Sequence, residues 1–459
     1  MIEEDITTSP SAPIDAADQQ AAGDIITIVL TADNHLGSTT FGQQPRKREE
    51  RQQRLRHAFQ QATDFAIGQG VDLFIQAGDL FDTVTPHERD RSFVAARLAQ
   101  LRQAGVRAFA LGGVHDTPAE THSLLGENAQ APQVSYARLG ALHYFAPVPN
   151  PVELEPAVIK IREIYVGICG LGVLAGQEGN PLARVRVQSD IERASITLLI
   201  LHAPIEGLST NTFLLDRRAQ VSRSSIENQT DFRYILAGYH HQYRHLHIGS
   251  SDVIVAGATQ HIDFSNVESS EEADDAAESN APGFVFLGLA ADGIRWCNHI
   301  PVDAPPFQQL VIHTPELWSA ATTAVTPPPT EAILERLRPL CNEEAMVQLR
   351  LVGQLTRSQY HQLDLNQIRR YGEEHCFALA IDDSDLTILP VDLPPTRGEA
   401  IIIDGGDRGP NIERLSPREE LLTLVDEWLA ATNDEHEQKA LRATREELLA
   451  AMEEIKTKR

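Results

Sequence analysis

The sequence predicts an α/β protein in which two β-sheets pack as a sandwich flanked by helices, followed by a small α+β capping domain and C-terminal helices. Three observations support this fold class. Apolar, β-branched runs alternate with helical patterns between residues 25 and 111, which is typical of layered α/β architecture. Short strand-like runs with little helix between them come next. A Pro-rich break then separates this region from a second mixture of strand and helix patterns.

Composition limits the class of protein. A chain of 459 residues exceeds the size at which one hydrophobic core usually keeps growing. The formal charge of -26 argues against nonspecific nucleic-acid binding by net field, although a local basic groove is compatible with it. The four cysteines are far apart and lack C-x-x-C spacing, so we expect neither a disulfide framework nor a zinc ribbon, and we expect a reducing cytoplasm. No apolar run is long enough to predict a membrane span.

The N-terminal half predicts strands that end at polar clusters. Residues 1–24 are polar and acidic and predict a disordered tail. Strands are predicted at Ile25–Ala32, Asp72–Ala77 and Arg107–Leu111. Between them, Leu55, Phe59, Ala62 and Phe65 recur at helical spacing, and Glu88–Ala104 predicts a second helix. Parallel strands joined by helices bring their carboxyl ends to one edge of a sheet, where sites form.

The rest of the chain predicts a second sheet and two C-terminal units. Short strands are predicted at Tyr165–Leu171, Thr197–Leu201, Tyr234–Gly238, Val253–Ala256 and Phe284–Leu289. Pro305 and Pro306 predict a linker. The expected domains are a sandwich at 25–303, a small α+β capping domain at 304–395, and a linker with helices at 396–459. The helix stripe with Leu421, Val425 and Trp428 suits a partner's groove, and packing back onto its own domain is the alternative.

Five polar clusters follow apolar runs: T-A-D-N-H, A-G-D-L-F-D, G-G-V-H-D, L-H-A-P and A-G-Y-H-H. They contain Asp33, His35, Asp79, His115, Asp116, His202 and His241. Carboxylates and imidazoles gathered from several strand ends are ligands for divalent ions. Such ions activate water and neutralise charge at a phosphodiester. The clusters therefore predict a metal-dependent phosphoesterase site.

Each cluster taken alone has an ordinary structural interpretation. A turn aspartate beside a core histidine would explain Asp33 and His35, and Asp79 could cap a turn. His202 and His241 could be core or loop histidines, and His115 a loop histidine. The order of all five clusters along the chain, rather than any one of them, favours the metal site.

The ordered set D-x-H, G-D, G-N-H-D, H and G-H-x-H resembles that of the calcineurin-like metallophosphoesterase superfamily. H-L-G at His35–Gly37 and G-D-L-F-D at Gly78–Asp82 are similar to its SbcD-type DNA repair exonuclease branch. The resemblance implies two Mn²⁺ ions. The first would be bound by Asp33, His35, Asp79 and His241, and the second by Asp79, His202 and residues 114 and 239. Because those two positions hold Val114 and Tyr239, the second site is degenerate and we expect one bound ion.

The resemblance also implies a reaction and partners. His115 would protonate the leaving oxygen, with Asp116 as its orienting partner. The expected activity is hydrolysis of DNA phosphodiester bonds by the nuclease subunit of a complex with an SbcC-like ATPase, docked through the C-terminal helices. A homodimer is a further expectation. Two alternatives remain open: a catalytically impaired DNA-binding or scaffold subunit, which Val114 and Tyr239 favour, and a phosphodiesterase for small molecules.

A basic cluster follows the first motif and bears on DNA binding. It comprises Arg46, Lys47, Arg48, Arg51, Arg54 and Arg56, interrupted by two glutamates. In an acidic protein such a cluster near the mouth of a site could hold a phosphate backbone. A solvated helix face is an equally ordinary interpretation.

Overall fold

The computed structural model describes residues 25–40, 45–118, 130–147, 153–174, 176–183, 185–208, 219–262, 281–318 and 328–389. Within these ranges the chain forms two six-stranded sheets, a four-stranded sheet and a small two-stranded one. The C-terminal helices predicted beyond residue 395 and the tail at 1–24 lie outside the described residues.

The first sheet brings the predicted N-terminal strands together. Its members are β1 (Ile26–Thr31), β2 (Leu73–Ala77), β3 (Arg107–Leu111), β4 (His143–Phe145), β13 (Gly283–Ala290) and β14 (Gly293–Pro301), in the order β14-β13-β1-β2-β3-β4. β1 to β4 run parallel. The loops after β1, β2 and β3 therefore all leave from the same edge of the sheet.

The second sheet is also mixed. Its members are β6 (Ala157–Ile161), β7 (Ile164–Gly172), β9 (Ile196–His202), β10 (Tyr234–Gly238), β11 (Arg244–Ile248) and β12 (Ser251–Val255), in the order β11-β12-β10-β9-β7-β6. β7, β9, β10 and β12 are parallel. Two short strands, β5 (Glu153–Leu154) and β8 (Arg186–Val187), pair separately.

Side-chain alternation along the strands builds the layers. In β1, Ile28 and Leu30 face the second sheet and pack against residues such as Leu198 and Leu236, whereas Val29 faces the helices. A strand buried on both faces has to be apolar at consecutive positions, which explains the run I-T-I-V-L-T. The two sheets thus share one core, and the first sheet has a second core on its helix side.

Helices cover the outer face of the first sheet. The described helices are α1 (Pro45–Gln69), α2 (Glu88–Gln103), α3 (Gln133–Arg138), α4 (Arg223–Asn228), α5 (Thr314–Trp318), α6 (Pro329–Leu337), α7 (Arg357–His361) and α8 (Leu365–His375). In α1, the buried residues Leu55, Phe59 and Ala62 pack against that sheet, as their helical spacing predicts. No helix in the described part of the chain is long and apolar enough to cross a membrane.

A third sheet follows the Pro-rich linker. It comprises β15 (Phe307–His313), β16 (Met346–Thr356), β17 (Ala378–Asp382) and β18 (Leu386–Leu389), with β16 central. Ile333, Leu337 and Ile368 of its helices pack with Leu349 in a core of their own. A parallel sheet needs crossover helices, and α6 and α8 supply them.

The predicted fold class, a two-sheet sandwich flanked by helices with a smaller α+β part, is confirmed for the described residues. The pattern did not predict β14, β11 or β6. β14 reads G-I-R-W-C-N-H-I-P and has no fully buried residue. Edge strands of this kind carry neither a continuous apolar run nor a strict alternation, so their pairing depends on partners distant in sequence.

One expectation about the cysteines is wrong. Cys341 and Cys376 form a disulfide with a Cα–Cα distance of 5.0 Å. The fold brings the turn after α6 next to the end of α8. The separation of 35 residues along the chain could not reveal this proximity.

Replacing Phe59 by alanine should lower the free energy of unfolding by about 3–5 kcal/mol, because the buried ring leaves a cavity. Phe59 is 1% exposed, and its ring centroid lies 5.9 Å from that of Phe74 and 6.2 Å from that of Phe93. Urea unfolding measures the change. The exposed Gln69→Ala at the end of the same helix should change stability by less than about 0.5 kcal/mol, and equal effects of the two substitutions would contradict this packing.

Candidate metal centre

The predicted ligands meet where the two sheets present their carboxyl-end loops. Asp33 follows β1 and Asp79 follows β2 in the first sheet, while His202 ends β9 and His241 follows β10 in the second. In the described residues, three groups hold ligand atoms within 4.8 Å of one another. These groups are Asp33 with His35 and His241, His35 with Asp79 and His115, and Asp33 with Asp79 and His202. The five predicted metal ligands and the predicted acid His115 are therefore brought together.

The orientation of two imidazoles shows that the residues fit a metal ion. His35 Nδ1 lies 2.9 Å from Asp82 Oδ1, and His202 Nδ1 lies 2.8 Å from the carbonyl oxygen of Ala77. Each partner accepts an Nδ1–H, which leaves Nε2 with its lone pair toward the centre. In the described residues, both Nε2 atoms are buried and face the carboxylate oxygen Asp79 Oδ2. A divalent ion bound beside this carboxylate would take the place of the protons that the two imidazoles otherwise carry.

Backbone amides and imidazoles contact both carboxylates of the centre. Asp79 Oδ1 accepts a 2.8 Å hydrogen bond from the His115 backbone amide. Asp79 Oδ2 lies 3.2 Å from His202 Nε2 and 3.9 Å from His35 Nε2. The Tyr239 amide donates to both oxygens of Asp33, at 3.2 and 3.0 Å. Because Asp33 and Asp79 are 0% and 4% exposed, these contacts are what keep two neighbouring charges buried.

Strained backbone carries these side chains. Among the described non-glycine residues with positive φ, four of the five lie at the centre: Asp33 (47°), His35 (44°), Asp79 (52°) and Tyr239 (79°). Such conformations cost energy and persist where the surroundings determine them. Gly78, with φ of 95°, is needed for a second reason, since a Cβ there would lie 2.0 Å from His202 Nδ1. A Cβ on Gly113 would lie 2.1 Å from Asp79 Oδ1. Only glycines let the ligands approach.

Charge coupling sets the protonation of the metal-free centre. Burial alone would lower the pKa of His35, but the hydrogen bond with Asp82 and the nearby aspartates raise it to about 9. Burial likewise opposes the charge on His202, and Asp79 raises its pKa to about 9. Burial raises the pKa of Asp33, whereas His202 and His35 hold the pKa of Asp79 below its usual range. At neutral pH these imidazoles are therefore protonated, and their positive charge balances the buried carboxylates as a bound cation would.

His115 lies at the rim of the centre, and its carboxylate neighbour differs from the expected one. Its side chain is 37% exposed, its Nδ1 is 3.7 Å from Asp82 Oδ1, and its ring centroid is 4.8 Å from that of His35. Asp116, the expected orienting partner, is 0% exposed. Its Oδ1 accepts from the Gly113 amide at 2.9 Å and its Oδ2 from the Phe81 amide at 3.1 Å. The Gln133 side chain also donates to Oδ2.

These contacts give Asp116 a different role from the one expected. It ties the loop after β3 to the loop after β2, and burial together with the charge of Asp79 raises its pKa to about 6. Asp82 was not among the predicted site residues. In the sequence, Asp82 is marked only as the second aspartate of the motif G-D-L-F-D. The fold shows that it faces His35.

Most side chains of the basic cluster form hydrogen bonds or ion pairs within the protein. Lys47 Nζ donates to the carbonyl oxygens of Glu373 and Cys376, at 2.8 and 2.7 Å. Arg51 is buried and donates to the His261 carbonyl. Arg54 pairs with a glutamate one turn earlier, and Arg56 pairs with Asp90 at 2.8 Å. These four side chains join α1 to the small domain and to its neighbours, so they do not form an open phosphate-binding face.

The family comparison agrees with this geometry. Residues 26–238 match the model of the calcineurin-like phosphoesterases. The chain carries a calcineurin-like phosphoesterase domain. The match includes Asp33, His35, Asp79, His115 and His202, and it ends at Gly238, within the last predicted cluster and before His241. The match supports the placement of this domain in the metallophosphoesterase hydrolase superfamily.

Curated relatives match over short stretches. The DNA double-strand break repair protein Mre11 of Sulfurisphaera tokodaii is 32% identical over 84 residues, which are 18% of this chain and 22% of that protein. The protein of the same name from Saccharolobus solfataricus is 30% identical over 94 residues, covering 20% and 25%. The matches thus span about a quarter of these relatives' length. A putative 5′-nucleotidase structure from Staphylococcus aureus has a TM-score of 0.32 at 13% identity, covering 70% of this chain and 59% of that one.

Replacing Gly78 by alanine should lower metal affinity by at least about tenfold, because the added methyl group would displace the His202 imidazole and strain the backbone. Isothermal titration with Mn²⁺ measures the affinity. Gly70→Ala is the matched control, since Gly70 also has positive φ, at 60°, but a Cβ there would meet nothing within 4 Å. The same loss of affinity in both variants would show that backbone strain, and not the His202 contact, is responsible.

Metal affinity should rise with pH up to about 9 and then level off. The pKa values of His35 and His202 are raised to about 9, so a metal ion must displace their protons at any lower pH. Each displaced proton weakens apparent affinity by about tenfold per pH unit below that value. Titrations at several pH values, with proton release measured in buffers of different ionisation enthalpy, test this. An affinity independent of pH between 6 and about 9 would contradict the protonation described.

Proposed function

We propose that this protein is a metal-dependent phosphodiesterase that hydrolyses DNA phosphodiester bonds, of the kind represented by the SbcD-type repair exonucleases. The observation that carries the proposal is the pair of buried imidazoles. His35 and His202 turn buried Nε2 atoms toward Asp79 Oδ2, and this arrangement of imidazoles around a carboxylate suits a divalent cation. Mn²⁺ is the ion that we propose, because carboxylate and imidazole together suit it.

Each side chain has a distinct task in this reaction. Asp33, His35, Asp79, His202 and His241 would line the metal position, and Asp82 and the Ala77 carbonyl fix the tautomers of His35 and His202. A bound divalent ion supplies Lewis acidity and lowers the pKa of a bound water. His115, which is partly exposed beside this cluster, is placed to donate a proton to a leaving oxygen.

Support for DNA as the substrate comes from the named relatives, which are double-strand break repair proteins. On the same ground we propose that the protein works in the cytoplasm with an SbcC-like ATPase bound through its C-terminal helices, and that it can form a homodimer. The internal contacts of Lys47, Arg51, Arg54 and Arg56 mean that a DNA path must use other residues.

A second candidate function is a DNA-binding or scaffold subunit with an impaired centre. Val114 and Tyr239 favour it, because both stand where the superfamily pattern has metal ligands. Such a protein would bind DNA or its ATPase partner without cleaving. A phosphodiesterase for small molecules would instead hydrolyse chromogenic phosphodiesters and leave DNA intact.

Purified protein should cleave linear duplex or single-stranded DNA in a Mn²⁺-dependent manner. Asp79→Asn should lower the rate by about 100-fold or more, because the buried carboxylate faces both imidazoles and its amide could not balance a cation. Gel assays with end-labelled DNA measure the rate. Asp252→Asn is a control, since Asp252 lies on β12 beside His247 and belongs to none of the three ligand groups.

Retained cleavage in Asp79→Asn would point to a contaminating nuclease and would contradict the proposed nuclease activity. Absent cleavage in the wild type, together with unchanged DNA binding in both variants and with the ATPase partner supplied, would favour the scaffold.

A further inference from the structure

A buried polar network adjoins the metal centre, and none of its members is a predicted ligand. It consists of four side chains, each at most 3% exposed: Thr31, Asn34, Gln76 and Thr259. We propose that Asn34 and Gln76 are positioning residues, which hold the ligand-bearing loops after β1, β2 and β10 in the geometry that a divalent ion needs. The inference rests on the proposed function only for the requirement for a metal, and it does not depend on DNA as the substrate.

Gln76 is a polar residue in a strand whose other members are apolar. β2 reads L-F-I-Q-A and is buried throughout. Phe74 packs in the core on the helix side of the first sheet, and side-chain alternation places Gln76 on the same side. An amide in such a layer costs free energy unless it is hydrogen-bonded. Gln76 Nε2 donates to the carbonyl oxygen of Gly78 at 2.7 Å and to Asn34 Oδ1 at 3.3 Å. The Gln76 side chain therefore joins β2 to the loop after β1.

The Gly78 carbonyl fixes the orientation of both amides. A carbonyl only accepts, so the end of the Gln76 side chain that faces it must be the nitrogen. The second N–H of this nitrogen is donated to Asn34, which therefore presents Oδ1 to Gln76. Asn34 Nδ2 then donates to two hydroxyl oxygens, Thr31 Oγ1 at 2.8 Å and Thr259 Oγ1 at 3.1 Å. Each N–H of the two amides thus has an acceptor, and a buried network satisfied in this way is rigid.

The network contacts the backbone of the two loops that carry the aspartates of the centre. The Gly78 carbonyl, which Gln76 binds, also accepts a hydrogen bond from the Asp33 amide at 3.0 Å. Gly78 immediately precedes Asp79, and Asn34 immediately follows Asp33. Both carboxylates are therefore attached to backbone that the network holds.

The other end of the network reaches the loop after β10. Thr259, which accepts from Asn34, follows Ala258 in the chain. The Ala258 amide donates to the carbonyl oxygen of His241 at 3.0 Å. The segment that the Asn34 amide binds is therefore itself tied to a predicted ligand of the second sheet.

Strained backbone makes such support necessary. Asp33, His35 and Asp79 all have positive φ, and residues other than glycine keep this conformation only where the surroundings determine it. Asn34 and Gln76 bind the loops rather than the ligand atoms, so they act on the centre through its backbone. Changes of such outer residues typically cost about 10 to 100-fold in metal affinity.

The first test removes the Gln76 amide from the full-length protein. Gln76→Met keeps the length of the side chain and removes both donors, so the Mn²⁺ affinity measured by isothermal titration should fall by at least about tenfold. Gln348→Met is the matched control, because Gln348 is also a buried strand glutamine, on β16 in the third sheet, and accepts a hydrogen bond from Gln309. Its Mn²⁺ affinity should equal that of the wild type. Unchanged affinity in Gln76→Met, or an equal loss in both variants, would overturn the proposal.

A second set of variants separates positioning from a general loss of stability. Thr259→Val is nearly isosteric and removes one acceptor of Asn34, so Mn²⁺ affinity should fall by about fivefold, the effect expected for one net hydrogen bond. Thr259→Ser retains the hydroxyl group and should bind Mn²⁺ as the wild type does. Phe59→Ala should lower resistance to urea without changing Mn²⁺ affinity, because Phe59 packs in the core of the same domain and is not part of the network.

Equal affinities in Thr259→Val and Thr259→Ser would contradict a role for the hydroxyl group. A loss of affinity in Phe59→Ala as large as in Gln76→Met would show that the network only stabilises the fold. Either result would overturn the proposal.

These measurements also separate the inference from the proposed function. Wild-type protein that binds Mn²⁺ but cleaves no DNA would refute the nuclease, and a loss of affinity in Gln76→Met would still uphold the positioning role. Unchanged affinity in the variants of a protein that does cleave DNA would overturn the positioning role alone. Failure of the wild type to bind Mn²⁺ would overturn both.

Discussion

The burial of one carboxylate, Asp79, constrains the rest of this structure. At 4% exposure it cannot be balanced by water, so its charge has to be met by the His115 amide on one oxygen and by His35 and His202 on the other. Those contacts are possible only because glycines stand on both sides. Gly78 gives room to the His202 ring, and Gly113 gives room to the carboxylate itself. In the metal-free protein, imidazoles with pKa values raised to about 9 supply the balancing charge, and an ion would replace their protons.

The same constraint explains why the site needs both sheets. Asp33 and Asp79 come from the first sheet, whereas His202 and His241 come from the second, so the shared core between the sheets sets their separation. Ile28 and Leu236 lie in that core, a few residues before Asp33 and before Tyr239 respectively. A change in how the sheets pack would therefore move one pair of ligands relative to the other. The contacts between the two sheets therefore both stabilise the sandwich and set the distances between the ligands.

The ligands could be predicted from the sequence because each follows an apolar run that reads as a buried strand. The run I-I-T-I-V-L-T-A before Asp33 and the run Y-I-L-A-G before Tyr239 locate strand ends without any knowledge of the partner strands. Roles that depend on long-range partners could not be read in this way. Asp116 is identical in type to a catalytic carboxylate, yet its partners are Phe81 and Gln133. Asp82 is indistinguishable from a turn residue until His35 is placed beside it.

The contacts of the basic cluster and of the cysteines could not be predicted either, because their partners are distant in sequence. Lys47 contacts the carbonyl of Cys376, 329 residues away, and Arg54 lies 4.9 Å above the ring of Phe377. A count of basic residues suggests a surface for phosphate, whereas Lys47 and Arg54 contact the small domain instead. The disulfide between Cys341 and Cys376 lies in the same part of the small domain. Charge and cysteine patterns therefore indicated which residues are chemically unusual but not what they contact.

The most direct measurement of the central claim is an anomalous difference map from crystals grown with Mn²⁺. We expect a peak within bonding distance of Asp79 Oδ2 and of the Nε2 atom of His35 or His202, with the Nδ1 contacts of both imidazoles unchanged. A map without a peak there at saturating Mn²⁺, or with the two imidazoles turned away from Asp79, would contradict it.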